Sequence, residues 1–213
     1  MKNKQELICD ELVKTSDYVM PNSWSNNLLE YGYHSFNIGD IDIVGQRNPK
    51  RRIEEFNKHY DFTGKNILDL GCNVGGMLFH IPEMNKAVGV DFDPLVINAA
   101  KNISKILDME NTNFIQFDFD TDDYDLLRSQ INLSPDIIFL LSMGVWVKQR
   151  WKLYDFALTF DCPIILETNN EKVNFIELSY FIRKSCKVKL IIDGSPDDAT
   201  SNNRRKTYLI TQL

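Results

Sequence analysis

Residues 67–76, Ile67-Leu68-Asp69-Leu70-Gly71-Cys72-Asn73-Val74-Gly75-Gly76, decide how this chain is read. A short apolar run ends on an acidic residue and passes into a glycine-rich turn. That pattern predicts a buried strand, a tight turn and the start of a helix. Glycine permits the dihedrals of such a turn and lets the backbone come close to a ligand. Twenty residues after Gly71, Asp91 closes a second apolar run at residues 87–92. A carboxylate there can accept hydrogen bonds from both hydroxyls of a ribose. The spacing therefore predicts an adenosine-containing ligand at the carboxyl ends of the strands.

The alternation continues on the C-terminal side. Residues 66–70, 87–92, 113–119, 136–141 and 163–167 read as strands. Residues 94–107, 124–130, 148–158 and 173–184 read as helices, with Pro94 suited to a first helical turn. Strands alternating with helices predict a doubly wound, mostly parallel α/β sheet. The near-continuous apolar strands agree, because such sheets are covered on both faces. Residues 187–192 and 207–211 have only a polar loop between them, with Gly194, Pro196, Asp197 and Asp198. They should pair antiparallel and bring the sheet to seven strands.

The N-terminal part has a different texture. Leu7, Ile8, Leu12 and Val13 sit at helical spacing, residues 38–44 alternate like a hairpin arm, and Ile53, Phe56 and Tyr60 mark one face of a helix. The expected division is a small N-terminal cap over residues 1–62 and a ligand-binding domain over residues 63–213. Trp24, Tyr31, Tyr33 and Phe36 are candidates for a lid over the cleft.

Composition narrows the function classes. With 213 residues, 43% of them hydrophobic and 25% charged, the chain can bury a full core and is not disordered. A net charge of −6 disfavours a large nucleic-acid partner. Lys50-Arg51-Arg52 and Arg204-Arg205-Lys206 read as solvated surface, with phosphate contact as the alternative. The four cysteines form no C-x-x-C pair, so neither a zinc site nor a disulfide framework is expected, and free thiols suit a reducing cytoplasm. The N-terminus opens no signal-peptide core. The longest apolar stretch, residues 137–147, is too short for a bilayer, which needs about 20 residues. A cytoplasmic location without membrane contact is expected.

The choice of ligand turns on two residues. Asn73 stands where a dinucleotide fingerprint needs its second glycine, the one that lets the backbone approach a pyrophosphate. Asp69 fits poorly beside phosphates and well beside a cation such as a methionine ammonium. At this point the chain resembles the class I S-adenosylmethionine-dependent methyltransferases. Residues 65–76 resemble the family's first motif. Gly89-Val90-Asp91-Phe92-Asp93 resembles its second-strand motif, Gln116-Phe117-Asp118-Phe119-Asp120 its third, and residues 134–142 its fourth strand. The terminal antiparallel hairpin is similar too. The resemblance implies S-adenosylmethionine as cofactor. It implies Asp69, Gly71 and Asn73 at the methionine end, with Gly75 in the same turn. Asp91 would hold the ribose, Phe92 lie against the adenine, Asp118 accept from its amino group and Phe119 lie beside it. Ser142 and Met143 would lie under the sulfonium.

The acceptor side is less marked. Metal-dependent, cytosine and amino-adenine subclasses lack their motifs here, so neither a metal nor a DNA substrate is expected. His34, which titrates near neutrality, and Glu167, at the end of the fifth strand, are the candidate catalytic bases. Arg47 is the candidate for binding the cofactor carboxylate, or an anionic acceptor, through a bidentate contact. The expected activity is methyl transfer to oxygen or nitrogen of a small molecule, a sugar or other metabolite. The alternatives are an RNA (tRNA) methyltransferase and a cofactor-binding interaction module without activity.

Overall fold

The computed structural model describes residues 2–16, 32–169, 171–198 and 205–213, the side chains of residues 171–173 excepted. The chain begins with α1 (Lys4–Ser16), the hairpin β1 (Phe36–Ile38) and β2 (Ile41–Ile43), and α2 (Pro49–Asn57). The alternating part follows as β3 (Asn66–Leu70), α3 (Gly76–Phe79), β4 (Lys86–Asp91), α4 (Pro94–Ile106), β5 (Thr112–Gln116) and α5 (Tyr124–Ile131). It continues through β6 (Ile137–Leu141), α6 (Arg150–Leu158), β7 (Ile164–Glu167) and α7 (Glu171–Arg183) to β8 (Cys186–Asp193) and β9 (Lys206–Gln212).

The large sheet has seven strands in the order β5-β4-β3-β6-β7-β9-β8. From β5 to β7 all neighbours are parallel, and β9 runs antiparallel to both β7 and β8. The expected α/β architecture and its terminal antiparallel pair are therefore present. β3 lies between β4 and β6, so the chain leaves it toward opposite edges. The crevice beyond its carboxyl end is the usual ligand place in such sheets.

Successive strand residues point to opposite faces, and the two hydrophobic clusters follow that alternation. Ile67, Ala87, Ile137, Phe139 and Ile165 enter one cluster, together with Ile8, Leu12, Phe36, Ile43, Ile53 and Phe56 of the N-terminal segment. Leu68, Leu70, Val88, Val90, Ile138, Leu140, Ile164 and Leu166 enter the other, under α5, α6 and α7. The segment set apart by texture thus shares one face of the sheet with α3 and α4, whose Met77, Leu78, Val96, Ile97 and Ile103 enter the same cluster. Helix starts are locally encoded. Asn48 accepts from Arg51 N at 3.0 Å with Pro49 behind it, and Asp93 accepts from Leu95 N at 2.8 Å with Pro94 behind it.

Two elements are shorter than their patterns suggest. β5 ends at Gln116 instead of running to residue 119, because the Asp118 carbonyl accepts from Thr121 N and Asp122 N and turns the chain. α3 is a single turn, with Pro82 arriving soon after its end.

Candidate active site

The glycine turn is pinned from below. Gly71 N and Cys72 N both donate to Val90 O, at 2.7 and 2.9 Å. Asn73 N donates to Asp91 Oδ2 at 2.9 Å, and Asp93 N donates to Asp91 Oδ1 at 3.3 Å. Asp91 therefore ties the turn after β3 to the end of β4. A carboxylate offers about four lone-pair sites, so acceptor capacity remains for a ribose. Gly71 has φ +90 and Asn73 φ +50, the left-handed region. Asn73 tolerates it by accepting from Val74 N at 2.8 Å through its own side chain. A Cβ on Gly71 would overlap the thioether of Met143, so the loop after β6 lies directly on the turn. Gly75 is required by its φ of +78 and by packing: a Cβ there would stand 2.8 Å from the ring of Phe114.

Asp69 shares the face of Ile67, the side on which α2 lies. It is 1% exposed, and neither carboxylate oxygen has a hydrogen-bond partner. Burial pushes its pKa up to about 7; Arg52 opposes the shift and the like charge of Asp91 adds to it. Buried acceptors without donors are rare, because each costs about 1–3 kcal/mol. An ammonium at this place would satisfy both oxygens. The residues present thus fit the methionine end of S-adenosylmethionine at Asp69 and its ribose at Asp91. Phe92, next to Asp91, is 56% exposed and offers a free ring to a base.

Phe119 departs from its expected role. It is buried in the second cluster with its ring edge-on to Phe117 at 5.5 Å, and its carbonyl accepts from the Tyr124 hydroxyl. It is a core residue, closed to a ligand. Asp118 is half-buried and uses Oδ1 to accept from Asp120 N at 2.9 Å, so one of its oxygens serves the turn.

The strongest departure concerns Arg47 and Glu167. Arg47 is 0% exposed. Its Nε donates to Asp197 Oδ2 at 2.7 Å, and its Nη2 to Glu167 Oε2 at 2.9 Å and Asp197 Oδ1 at 3.1 Å. Its Nη1 donates to Glu167 Oε1 at 3.2 Å and to the Tyr33 hydroxyl at 3.4 Å. A guanidinium has five N–H donors, and all five are spent. Arg47 is not available to a cofactor carboxylate. Glu167 also accepts from Arg52 Nη2 at 2.8 Å, from Arg205 Nη1 at 3.4 Å and from the Ser142 hydroxyl. The three guanidiniums outweigh the burial that opposes them and hold its carboxyl well below the usual carboxylate range. A carboxylate so held cannot serve as a base. It joins the N-terminal segment, the loop after β6 and the β8–β9 hairpin instead.

His34 is buried too, packed against Gly76 of the turn, with Tyr33 4.9 Å away ring to ring. Burial first, then Arg52 and Arg47, push its pKa well below the ordinary histidine value. Its imidazole stays neutral and is disfavoured from taking a proton. The structure therefore places His34 as a wall of the glycine turn. His80 staples the hairpin to the same turn: it bonds Gly76 O at 2.7 Å through Nδ1 and accepts from Asn37 N at 3.1 Å through Nε2.

Several site residues carry no distinctive mark in the sequence. Arg52 sits in a run of basic residues, yet it shares the buried face of α2 with Pro49, Ile53 and Phe56. That helical spacing was the available signal. Asp197 and Arg205 are brought in by the hairpin, and nothing local announces them. Of the lid candidates, Trp24 and Tyr31 lie outside the described residues, and Phe36 is in the core.

The comparisons agree with this geometry. A family model described as "Methyltransferase domain" matches residues 61–168, half of the chain. No curated protein matches. Among solved structures, the N-terminal domain of EvdMO1 with S-adenosylhomocysteine bound is similar over 100% of this chain and 98% of that one, at TM-score 0.63 and 14% identity. Against the longer EvdMO1 structure this chain spans 47% of that chain, about half its length. An S-adenosylmethionine-dependent methyltransferase from Aquifex aeolicus is similar over 78% of this chain and 90% of its own, at TM-score 0.57 and 13% identity. A precorrin-6y C5,15-methyltransferase from Geobacter metallireducens follows at TM-score 0.58 and 12% identity, over 76% and 86%. With the glycine turn, Asp69 and Asp91 in place on a seven-stranded sheet of this order, the chain belongs to the methyltransferase domain family and is a class I, Rossmann-like S-adenosylmethionine-dependent methyltransferase.

Proposed function

We propose that the enzyme methylates an oxygen or nitrogen of a small hydroxylated molecule such as a sugar. The observation that carries this reading is the end-to-end similarity to the N-terminal domain of EvdMO1. That domain was also solved in the presence of S-adenosylhomocysteine and D-fucose, and it too covers 100% of this chain at TM-score 0.63. The likeness extends over the whole of this chain, whereas the other two neighbours cover 76% and 78% of it. The acidic surface, net −6, points the same way.

S-adenosylmethionine supplies an activated methyl group on a sulfonium and leaves as a neutral thioether, and the proton lost by the acceptor O–H or N–H passes to solvent, since neither His34 nor Glu167 is disposed to take it. The protein's task is then chiefly to position, since alignment of two reactants can remove a large part of a barrier. Asp69 holds the ammonium end and Asp91 the ribose. Met143, lying on Gly71, fixes the loop after β6 against the turn. Glu167 contributes as the anchor of that loop through Ser142. A cytoplasmic site of action suits the thiols of Cys72, Cys162 and Cys186, which form no disulfide. No helix among the described residues is long and apolar enough to cross a membrane.

The RNA reading relied on basic clusters. Arg47 and Arg52 are buried on carboxylates and cannot meet phosphate, which weakens it. The test is transfer of labelled methyl groups from S-adenosylmethionine to a panel of free and nucleotide-linked sugars, with bulk tRNA at low and high salt as the competing arm. Label in sugars and none in tRNA is expected. Label in tRNA alone, with binding that falls steeply with salt, overturns the proposal.

A further inference from the structure

The loop after β6 is held between two buried carboxylates, Glu167 at Ser142 and Glu177 of α7 at Gly144. Ser142 has φ +61, a left-handed conformation that is costly for a residue with a side chain and persists where the surroundings impose it. Glu167 imposes it from one side. Ser142 N donates to Glu167 O at 2.8 Å, and the Ser142 hydroxyl donates to the Glu167 carboxylate. Two residues on, a Cβ on Gly144 would overlap Glu177 Oε1 and stand 2.7 Å from the Tyr154 hydroxyl oxygen. Gly144 lies outside the left-handed region, so its missing side chain answers to packing alone. Arg150 adds a third hold, its Nη1 donating to Gly144 O at 3.3 Å.

Glu177 is 0% exposed. Its Oε1 accepts from the Tyr154 hydroxyl, and its Oε2 has no hydrogen-bond partner. Burial pushes its pKa up, against the Tyr154 hydrogen bond and the charge of Arg150. An apolar side chain would fill the same space without leaving a buried oxygen short of a donor. What the carboxylate adds is a fixed stop. Pinned by Tyr154, it bears on the bare α-carbon of Gly144.

Met143 is the residue between the two holds. Its carbonyl accepts from Trp146 N at 3.0 Å and from Val147 N at 3.3 Å, which closes the turn behind it. Its thioether lies on Gly71. With Ser142 fixed on one side, a displacement of Gly144 on the other is passed to Met143 and from there to the glycine turn.

We propose that Glu177 is a positioning residue: through Gly144 it sets where Met143 stands on the glycine turn, and so how well that turn receives the cofactor. It acts through the loop, not by contact with a ligand.

The test uses the full chain labelled with 13C-methyl methionine. The Met143 resonance is assigned with Met143→Leu, and calorimetry with S-adenosylhomocysteine gives the affinity. Gly144→Ala puts a methyl group where Glu177 Oε1 lies. It should move the Met143 resonance, leave those of Met84 and Met109 in place and weaken S-adenosylhomocysteine binding by roughly threefold to thirtyfold. Adding Glu177→Asp draws the carboxylate back by one methylene, and the double variant should return both readouts most of the way to wild type. Tyr154→Phe keeps the ring and frees Glu177 Oε1; it should move the Met143 resonance and weaken binding in the same direction. It carries the comparison should Gly144→Ala fold poorly. Lower thermal midpoints in these variants, with the Met143 resonance and the affinity unchanged, would make Glu177 a packing residue only and overturn the proposal. A Gly144→Ala effect that Glu177→Asp leaves as it is overturns it too, because the methyl group would then act on the loop without Glu177.

Discussion

At the scale of single residues, the site is governed by which buried charges have partners. Asp69 has none, and its raised pKa makes a signed prediction. Between about pH 4 and pH 7 the folded ligand-free protein binds a proton at Asp69 that the unfolded chain releases. Stability from this group therefore falls as pH rises through that window and stays at its lowest above about pH 7. Asp69→Asn should be more stable than wild type at pH 8, by on the order of 1–3 kcal/mol, and close to it at pH 4. The same change should weaken S-adenosylhomocysteine binding. Urea titrations at both pH values check the first part and calorimetry the second; a less stable variant at pH 8 would mean that Asp69 has a partner. Glu167 runs the opposite way. Its pKa is held low, so its contribution is present above its unfolded value near 4.5 and is lost as pH falls. Removing one of its counter-charges is costly, because a buried carboxylate is left short of donors. Arg47→Ala should cost roughly 3–5 kcal/mol by urea denaturation at pH 7, and a loss below about 1 kcal/mol would return the network to the ordinary surface range.

At the scale of elements, the glycine turn shows how much a local pattern carries. The strand, turn, second strand and terminal carboxylate follow from apolar runs and glycine spacing alone, and each formed where that spacing put it. The reasons for individual glycines were less legible. Gly75 has a left-handed φ of +78 and also has Phe114 lying against it, a contact with β5 that no local signal reveals. Gly71 answers to two demands, a φ of +90 and the thioether of Met143. These can be separated. Gly71→Ala should lose about 1–3 kcal/mol and much of its cofactor affinity. Adding Met143→Ala should recover the part due to overlap and leave the dihedral part, so the double variant should be more stable than Gly71→Ala alone. Equal thermal midpoints for the two would show that the backbone conformation carries the whole cost. Arg52 teaches a related lesson in α2. Read as a run of basic residues it belongs to the surface; read by helical period it lies with Ile53 and Phe56 on the buried face, and the period was the better guide.

At the scale of the whole molecule, the N-terminal segment and the sheet depend on one another. Ile8, Leu12, Phe36, Ile43, Ile53 and Phe56 complete the cluster begun by Ile67, Phe139 and Ile165. Arg47 and Arg52, both before residue 63, supply two of the three guanidiniums on Glu167. The arginine link could not be read from the chain, because it pairs residues more than a hundred positions apart. The change of texture near residue 62 is real in composition, and residues 63–213 contain every strand of the large sheet. Yet a fragment cut there would expose the part of one apolar face that α1, the hairpin and α2 cover, and leave Glu167 buried with Arg205 as its one guanidinium among those three. The expectation is that residues 63–213 expressed without the first 62 do not fold cooperatively, whereas the full chain unfolds in one transition. Circular dichroism and intrinsic fluorescence should give coincident midpoints for the full chain and no sigmoidal transition for the fragment. S-adenosylhomocysteine sharpens the comparison, since a ligand that binds only the folded state raises its midpoint by mass action. A shift in the full chain and none in the fragment would mean that the cofactor site needs the N-terminal segment as part of its wall. A fragment that melts cooperatively and shifts with ligand would make that segment a separate cap, and the Arg47–Glu167 network an interface between two independent bodies.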